Sequence, residues 1–305
     1  MTHNNKRDFL TLRSFSSDEL AYVIQRAHEL KRLHLAGGEH RPLQGKTAAL
    51  ILELASTRTR VGFEAGMFQL GGHTIYLDPS VSQLGRGEPV SDTAAVLSGI
   101  VDVVIIRSLS QETVETFARF ATVPVINAMT RYQHPCQLLA DIQTFEEFRG
   151  SIRDKRVAFI GDGYNMCNSY IEASSLWDFE LRIAAPEGYR PAPELLRANP
   201  RSEVVSAPAD AVHNADLVVT DVWSSMGHDA EKLARKKAFA DYQVNEALLD
   251  RAAADVLFMH CLPAHRGEEI SETLLDDPRS VAFPESHNRL HSQKALLEFL
   301  LTNRR

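Results

Sequence analysis

Short apolar, β-branched runs recur along this chain, separated by segments whose apolar residues fall at helical spacing. No other feature limits its fold so strongly. In the first half the runs are "TAALILEL", "HTIYL", "DVVIIR" and "VPVIN". In the second they are "RVAFIG", "LRIAA", "EVVSA", "DLVVTDVW", "VLFMH" and "VAFP". Segments 60–70, 91–100, 110–121, 166–178 and 245–253 lie between them and read as helices. Such alternation requires right-handed crossovers and parallel sheets covered on both faces. The expected fold class is therefore α/β, with doubly wound parallel sheets. Ser16 and Glu19 in "SSDE" form a predicted capping box for an amphipathic first helix.

At 305 residues the chain is long enough for two packed domains. The helical stretch 134–148 ends in the Gly-bearing polar segment "RGSIRDK", and a new strand begins at Arg156. This places a boundary near residue 150, giving domains 1–150 and 151–286. A last helix over about 287–301 packs back on one of them. A net charge of -7 argues against a nucleic-acid partner. No apolar run approaches the ~18 residues of a membrane span, and the amino terminus lacks the apolar core of a signal peptide. Cys136, Cys167 and Cys261 lie far apart and cannot all pair, which points to a reduced, cytoplasmic setting.

In open parallel sheets, ligands bind beyond the carboxyl ends of the strands. "TAALILEL" is followed by Ser56, Thr57, Arg58, Thr59 and Arg60. Unpaired amides at a helix N-terminus, three hydroxyls and a guanidinium that can grip two oxygens suit a phosphate. A serine cap with solvated arginines is the plainer alternative. "DVVIIR" ends in Arg107, either a strand-edge cation or a second anion contact. "HPCQ" opens a helix with His134, Pro135 at a favoured first-turn position and Gln137. "DLVVTDVWSSMG" delivers Asp221 past a buried run, and "VLFMHCLPAHRGEEI" places His260 and Cys261 at another strand end. Free cysteines are most often core filler.

Other chemistries fit less well. "FIGDGYNM" holds Gly161 and Gly163 after a strand, but Met166 stands where a dinucleotide fingerprint needs a third glycine. Cys261, His265 and His134 lack any zinc-ligand spacing, and no G-x-S-x-G elbow is present. No cofactor or metal is expected. What remains is a site rich in Arg, Ser and Thr with an acidic group on the other domain. That pattern suits transfer from an anionic, phosphorylated donor to a cationic acceptor.

"STRTR", "SQLGRGEP", "HPCQLLAD", "DVWSSMG" and "HCLPAHRGEE" together resemble the aspartate/ornithine carbamoyltransferase family, in its ornithine branch, from about residue 8 to residue 301. The resemblance implies that Ser56, Thr57, Arg58 and Thr59 hold the phosphate of carbamoyl phosphate, with Gln83 reaching in from a neighbouring subunit. Arg107, His134 and Thr59 would polarise the carbamoyl oxygen. Gln137 and the backbone carbonyls of Cys261 and Leu262 would accept from the carbamoyl amide, and Arg289 would close the anion site. Asn165, Asp221, Ser225 and Met226 would bind ornithine. The resemblance further implies a homotrimer, with the "SSMG" loop covering the substrates and the last helix returning to the first domain.

Three positions depart from the family's usual pattern: Leu54 stands in place of a lysine, Tyr164 of an asparagine and His287 of a glutamate. An ornithine carbamoyltransferase of arginine biosynthesis is the first expectation. A divergent relative that carbamoylates another amine, or that binds carbamoyl phosphate without fast turnover, is the second.

Overall fold

A computed structural model describes residues 6–78, 87–224 and 231–302. Gln83, Ser225 and Met226 lie outside the described residues. The chain divides into two units, Met1–Gln143 with Asn288–Arg305, and Thr144–His287.

In the first unit, α1 (Ser17–Leu35) opens with the expected reciprocal bonds between Ser16 and Glu19. It is followed by β1 (Thr47–Leu52), α2 (Thr57–Gln69), β2 (His73–Leu77), α3 (Val90–Ser98), β3 (Val103–Arg107), α4 (Gln111–Phe120), β4 (Val125–Met129) and α5 (Pro135–Arg149), which runs on into the second unit. The strands are parallel in the order β2-β1-β3-β4. Central β3 is buried along its whole length, as a strand covered on both faces must be, whereas edge strand β2 is half-exposed. The chain passes outward from β1 to β2, then returns to the far side of β1 for β3. The carboxyl ends of β1 and β3 therefore adjoin at a reversal of strand order, with Leu52 opposite Arg107. That is where an open α/β sheet has room for a ligand.

The second unit repeats the design. It contains β5 (Arg156–Ile160), α6 (Asn165–Trp177), β6 (Glu180–Ala184), α7 (Pro193–Arg197), β7 (Ser202–Val204), α8 (Pro208–Val212), β8 (Leu217–Thr220), α9 (Lys232–Ala238), α10 (Glu246–Leu249) and β9 (Leu257–His260). These strands are also parallel, in the order β7-β6-β5-β8-β9, so order reverses between β5 and β8. Ala158, Ile160, Val218 and Phe258 pack against Val212, Leu249 and Ile270 on one face. Burying a side chain such as Phe258 contributes about 1.5–3 kcal/mol.

The last helix, α11 (Ala282–Thr302), begins in the second unit and ends in the first. There Lys294 Nζ donates to Gln69 Oε1 at 2.9 Å and Glu298 pairs with Arg26 at 3.0 Å. Two expectations need correction. "VAFP" is not a strand: Ser280 makes a single bridge to Phe258, and the helix begins at Ala282. Pro284 falls in its first turn, where a missing N–H costs nothing. The helix expected over 245–253 is a single turn, Glu246–Leu249. Among the described residues no helix is long and apolar enough to cross a membrane.

Candidate active site

In the first unit, the turn after β1 becomes the N-terminus of α2. Ser56 is its N-cap, extended at φ -155°, and its Oγ accepts from Thr59 N at 3.4 Å. From the end of β3, Arg107 Nη1 donates to Ser56 Oγ at 3.2 Å and lies 3.5 Å from Thr59 Oγ1. A register shift between Ile106 and Arg107 in the β3–β4 pairing sets the end of that strand. Glu53, a residue the motif reading passed over, fastens the same corner. Its N–H donates to Arg107 O at 2.9 Å, and its carboxylate accepts from Ser108 Oγ at 2.6 Å and Leu109 N at 3.2 Å.

Arg289 reaches this corner from α11. Its Nη1 donates to Gln137 Oε1 at 2.7 Å and its Nη2 to Thr59 Oγ1 at 3.4 Å. Gln137 Nε2 donates to Asp141 Oδ1 at 2.8 Å, so the amide is oriented with its carbonyl toward Arg289. Both arginines are buried. Two guanidiniums thus converge on one threonine hydroxyl at a helix N-terminus, a concentration of positive charge suited to an anion.

His134, immediately before α5, is buried beside them. Burial, then the charges of Arg289, Arg107 and Arg58, hold its imidazole well below its ordinary pKa. It is neutral at physiological pH. The two arginines of "STRTR" separate here. Arg60 pairs with Glu64 at 3.0 Å and stacks 4.0 Å over Tyr76 on the surface, whereas Arg58 acts on His134. Thr57 is exposed and Leu54 half-buried.

In the second unit, the β5–α6 turn and the end of β8 carry the acceptor candidates. Asn165 is the first residue of α6 and buried; its Oδ1 accepts from Met166 N at 2.9 Å. Tyr164, the N-cap, makes no side-chain cap. Gly163 is required by packing: its N–H donates to Tyr189 O at 2.7 Å, and a Cβ would stand 2.3 Å from Pro191 N. Gly163 therefore answers to the close approach of protein backbone. Asp221 Oδ1 accepts from Val222 N at 2.8 Å and from Cys261 Sγ at 3.3 Å. Burial raises its carboxyl pKa, against the pull of His260, Val222 N–H and the Cys261 thiol.

Past β9, Leu262 adopts a left-handed backbone at φ +56°, a costly conformation for a leucine. His260 holds it there, with Nδ1 accepting from Leu262 N at 2.9 Å and Nε2 donating to Glu269 Oε1 at 3.2 Å. This fixes the tautomer and aims the Cys261–Leu262 backbone. Glu269 could be found only through the fold. His265, Glu268 and Glu269 bring possible ligand atoms within 4.8 Å of one another. Glu268 is held by Lys236 at 2.8 Å in an ion pair and Glu269 by a hydrogen bond from His260, so both carboxylates are engaged within the protein. Cys136 and Cys167 are core thiols; burial pushes Cys136 up to about 12 and Cys167 well above its ordinary value.

Residues 7–147 match the profile of the aspartate/ornithine carbamoyltransferase carbamoyl-phosphate-binding domain, and residues 153–300 that of the Asp/Orn-binding domain. The chain belongs to the aspartate/ornithine carbamoyltransferase family. It is 57% identical over 296 residues to an anabolic ornithine carbamoyltransferase of Pseudomonas aeruginosa, covering 97% of each chain. It is 54% identical over 299 residues to the Psychrobacter sp. PRwf-1 ornithine carbamoyltransferase, covering 98% of each. The crystal structure of a Burkholderia thailandensis ornithine carbamoyltransferase superposes with a TM-score of 0.91 at 46% identity, covering 98% of this chain and 100% of that one. That of the Pyrococcus furiosus enzyme gives 0.93 at 42%, covering 98% of both. Within this family the anion corner of the first unit and the Asn165–Asp221 pair of the second fall in the domains named for those two ligands.

Proposed function

We propose that this member transfers the carbamoyl group of carbamoyl phosphate to the δ-amine of L-ornithine, giving L-citrulline and phosphate, as a cytoplasmic step of arginine biosynthesis. The convergence of Arg107 and Arg289 on Thr59 at the N-terminus of α2 carries the reading. Ser56, Thr57, Arg58 and Thr59 hold the phosphate. Arg107 and neutral His134 stabilise the charge that develops on the carbamoyl oxygen, a role often worth about 3 kcal/mol per donor. Gln137 Oε1 has a second lone pair for the carbamoyl amide, and the carbonyls of Cys261 and Leu262 accept from the same group. Arg289 completes the anion's partners.

Asp221 suits an α-ammonium, and Asn165 the adjoining carboxylate; Ser225 and Met226 are assigned to ornithine on the motif alone. The attacking δ-amine, with an ordinary pKa of about 10.4, must first lose a proton. Desolvation near fixed cations favours that loss. Phosphate then leaves into donors already in place. The nitrogen's second proton, released as the C–N bond forms and the C–O bond to phosphate breaks, goes to the departing phosphate. No side chain of the donor half-site has to accept it, in keeping with a neutral His134.

Assembly as a homotrimer completes the proposal, with Gln83 supplied by a neighbour. Exposed apolar side chains support self-association: Val61 and Phe68 on α2, Ile75 on β2, and Val96 and Ile100 at α3. The test is stoichiometry. Phosphate release from carbamoyl phosphate should require L-ornithine and match citrulline one for one; release without an acceptor contradicts the reading. Subunits inactivated at Gln83, mixed with subunits inactivated at His134, should regain activity. No recovery in trimers shown to be mixed counts against shared sites.

A further inference from the structure

Arg235 has no part in the scheme above, yet it is a buried charge of the second unit that pairs with a buried carboxylate on a separate element. It lies in "KLARKK" of α9, a run that reads as a solvated basic face. Its neighbour Lys236 does reach the surface, pairing with Glu268. Arg235 turns inward and is 5% exposed. Its Nη1 donates to Asp162 Oδ2 at 2.7 Å and to Trp223 O at 2.9 Å. The guanidinium lies 4.8 Å from the Tyr189 ring centroid, and Trp223 stacks on Phe239 at 6.0 Å.

The two acceptors belong to the two loops that matter. Asp162 sits in the β5–α6 turn, three residues before Asn165. Trp223 lies two residues after Asp221. One nitrogen therefore ties the Asn165 loop to the Asp221 loop, at the reversal of strand order in this sheet. Thr220 Oγ1 donates to Ile160 O at 2.6 Å and joins the same strand ends one step earlier. A buried ion pair is a poor stabiliser, since desolvation offsets most of its attraction. A pair placed to set the spacing of two ligand-bearing loops has a different use.

We propose that Arg235 is a positioning residue for the amino-acid acceptor: it fixes the separation of Asn165 and Asp221 through Asp162 and the Trp223 carbonyl. The inference rests on the carbamoyl-transfer reading, and wild-type turnover with L-ornithine tests that reading separately.

Two variants test the clamp. Arg235→Lys keeps the charge but replaces the rigid fork with a point charge. The double variant Asp162→Asn with Arg235→Gln removes both charges and leaves no buried ion unpaired. In each, the KM for L-ornithine should rise by about 10- to 100-fold, the size expected for a displacement near 1 Å. The KM for carbamoyl phosphate should stay within about threefold of wild type, because its phosphate and carbonyl partners lie on the first unit. Arg235 Nη1 bonds to the loops after β5 and β8, not to the Cys261–Leu262 backbone after β9. Circular dichroism melts establish that the variants are folded. An unchanged ornithine KM in either folded variant overturns the proposal. So does an equal rise in both KM values, which a general loosening of the fold produces.

Discussion

Arg289 Nη1 donates to Gln137 Oε1 at 2.7 Å, joining residues 152 positions apart in the chain. The bond carries the last helix to the anion corner and gives that corner its second guanidinium. Arg289→Met should leave a folded protein whose KM for carbamoyl phosphate is raised at least about 10-fold, since charged hydrogen bonds contribute roughly 1.5–3 kcal/mol. An unchanged KM in a folded variant would remove Arg289 from the phosphate's partners.

Arg107 faces the same corner from β3, and the proposal gives it the developing oxyanion. Arg107→Ala should lower kcat by about 100-fold or more. Near-normal turnover would take it out of the mechanism.

His134 is held neutral by burial and by three arginines. Its ring-carbon NMR shift should therefore stay constant from pH 8 to pH 6, where an ordinary histidine titrates. The consequence for stability follows from proton counting. Below about pH 6.5 the unfolded chain binds a proton at this residue that the folded chain does not. Stability from this group is complete above that pH and declines as pH falls through it. His134→Gln should melt with a shallower pH dependence between pH 7 and 5. A normal titration of the His134 signal would contradict the assignment.

Cys261 is the half-exposed thiol of the three, while Cys136 and Cys167 are buried with raised pKa values. Iodoacetamide at neutral pH should modify Cys261 in the folded protein and the other two only after denaturation, because thiolate and access are both needed. Mass spectrometry of tryptic peptides reads the result. Modification of Cys136 or Cys167 under native conditions would refute the packing described.

Gly163 approaches the Arg190–Pro191 backbone so closely that even a methyl group has no room. Gly163→Ala should cost about 1–3 kcal/mol through overpacking and raise the ornithine KM by displacing Asn165. A variant as stable and as active as wild type would show that the 189–191 backbone yields freely.

Much of this was legible in the chain before any fold was known. Ser56, Arg107, Asp221 and Cys261 stand at or just past the ends of apolar runs and His134 opens a helix after one, positions where an open parallel sheet leaves room for a ligand. Arg289 was legible only through resemblance, because nothing in a helical pattern says which face meets a residue 152 positions away. Arg235 was hidden by its own surroundings: a basic run predicts solvent, and only packing turns one member inward. Glu269 was hidden likewise, since its partner His260 is fixed by tertiary contact. "VAFP" misled because a short apolar run with a β-branched residue suits a strand and a helix start alike. The effect of Tyr164 beside Asn165 is a matter of acceptor choice, which measurement decides.

That measurement is carbamoyl transfer by the purified protein to L-ornithine, with L-lysine, putrescine, L-aspartate and N-acetyl-L-ornithine in parallel. The account predicts citrulline formation, with kcat/KM for L-ornithine at least about 100-fold above each alternative, because Asp221 and Asn165 would be left unpaired by amines that lack the α-amino acid group and misaligned by a longer one. A preference for another amine, or no turnover with any, would contradict it and make Tyr164→Asn the variant to examine next.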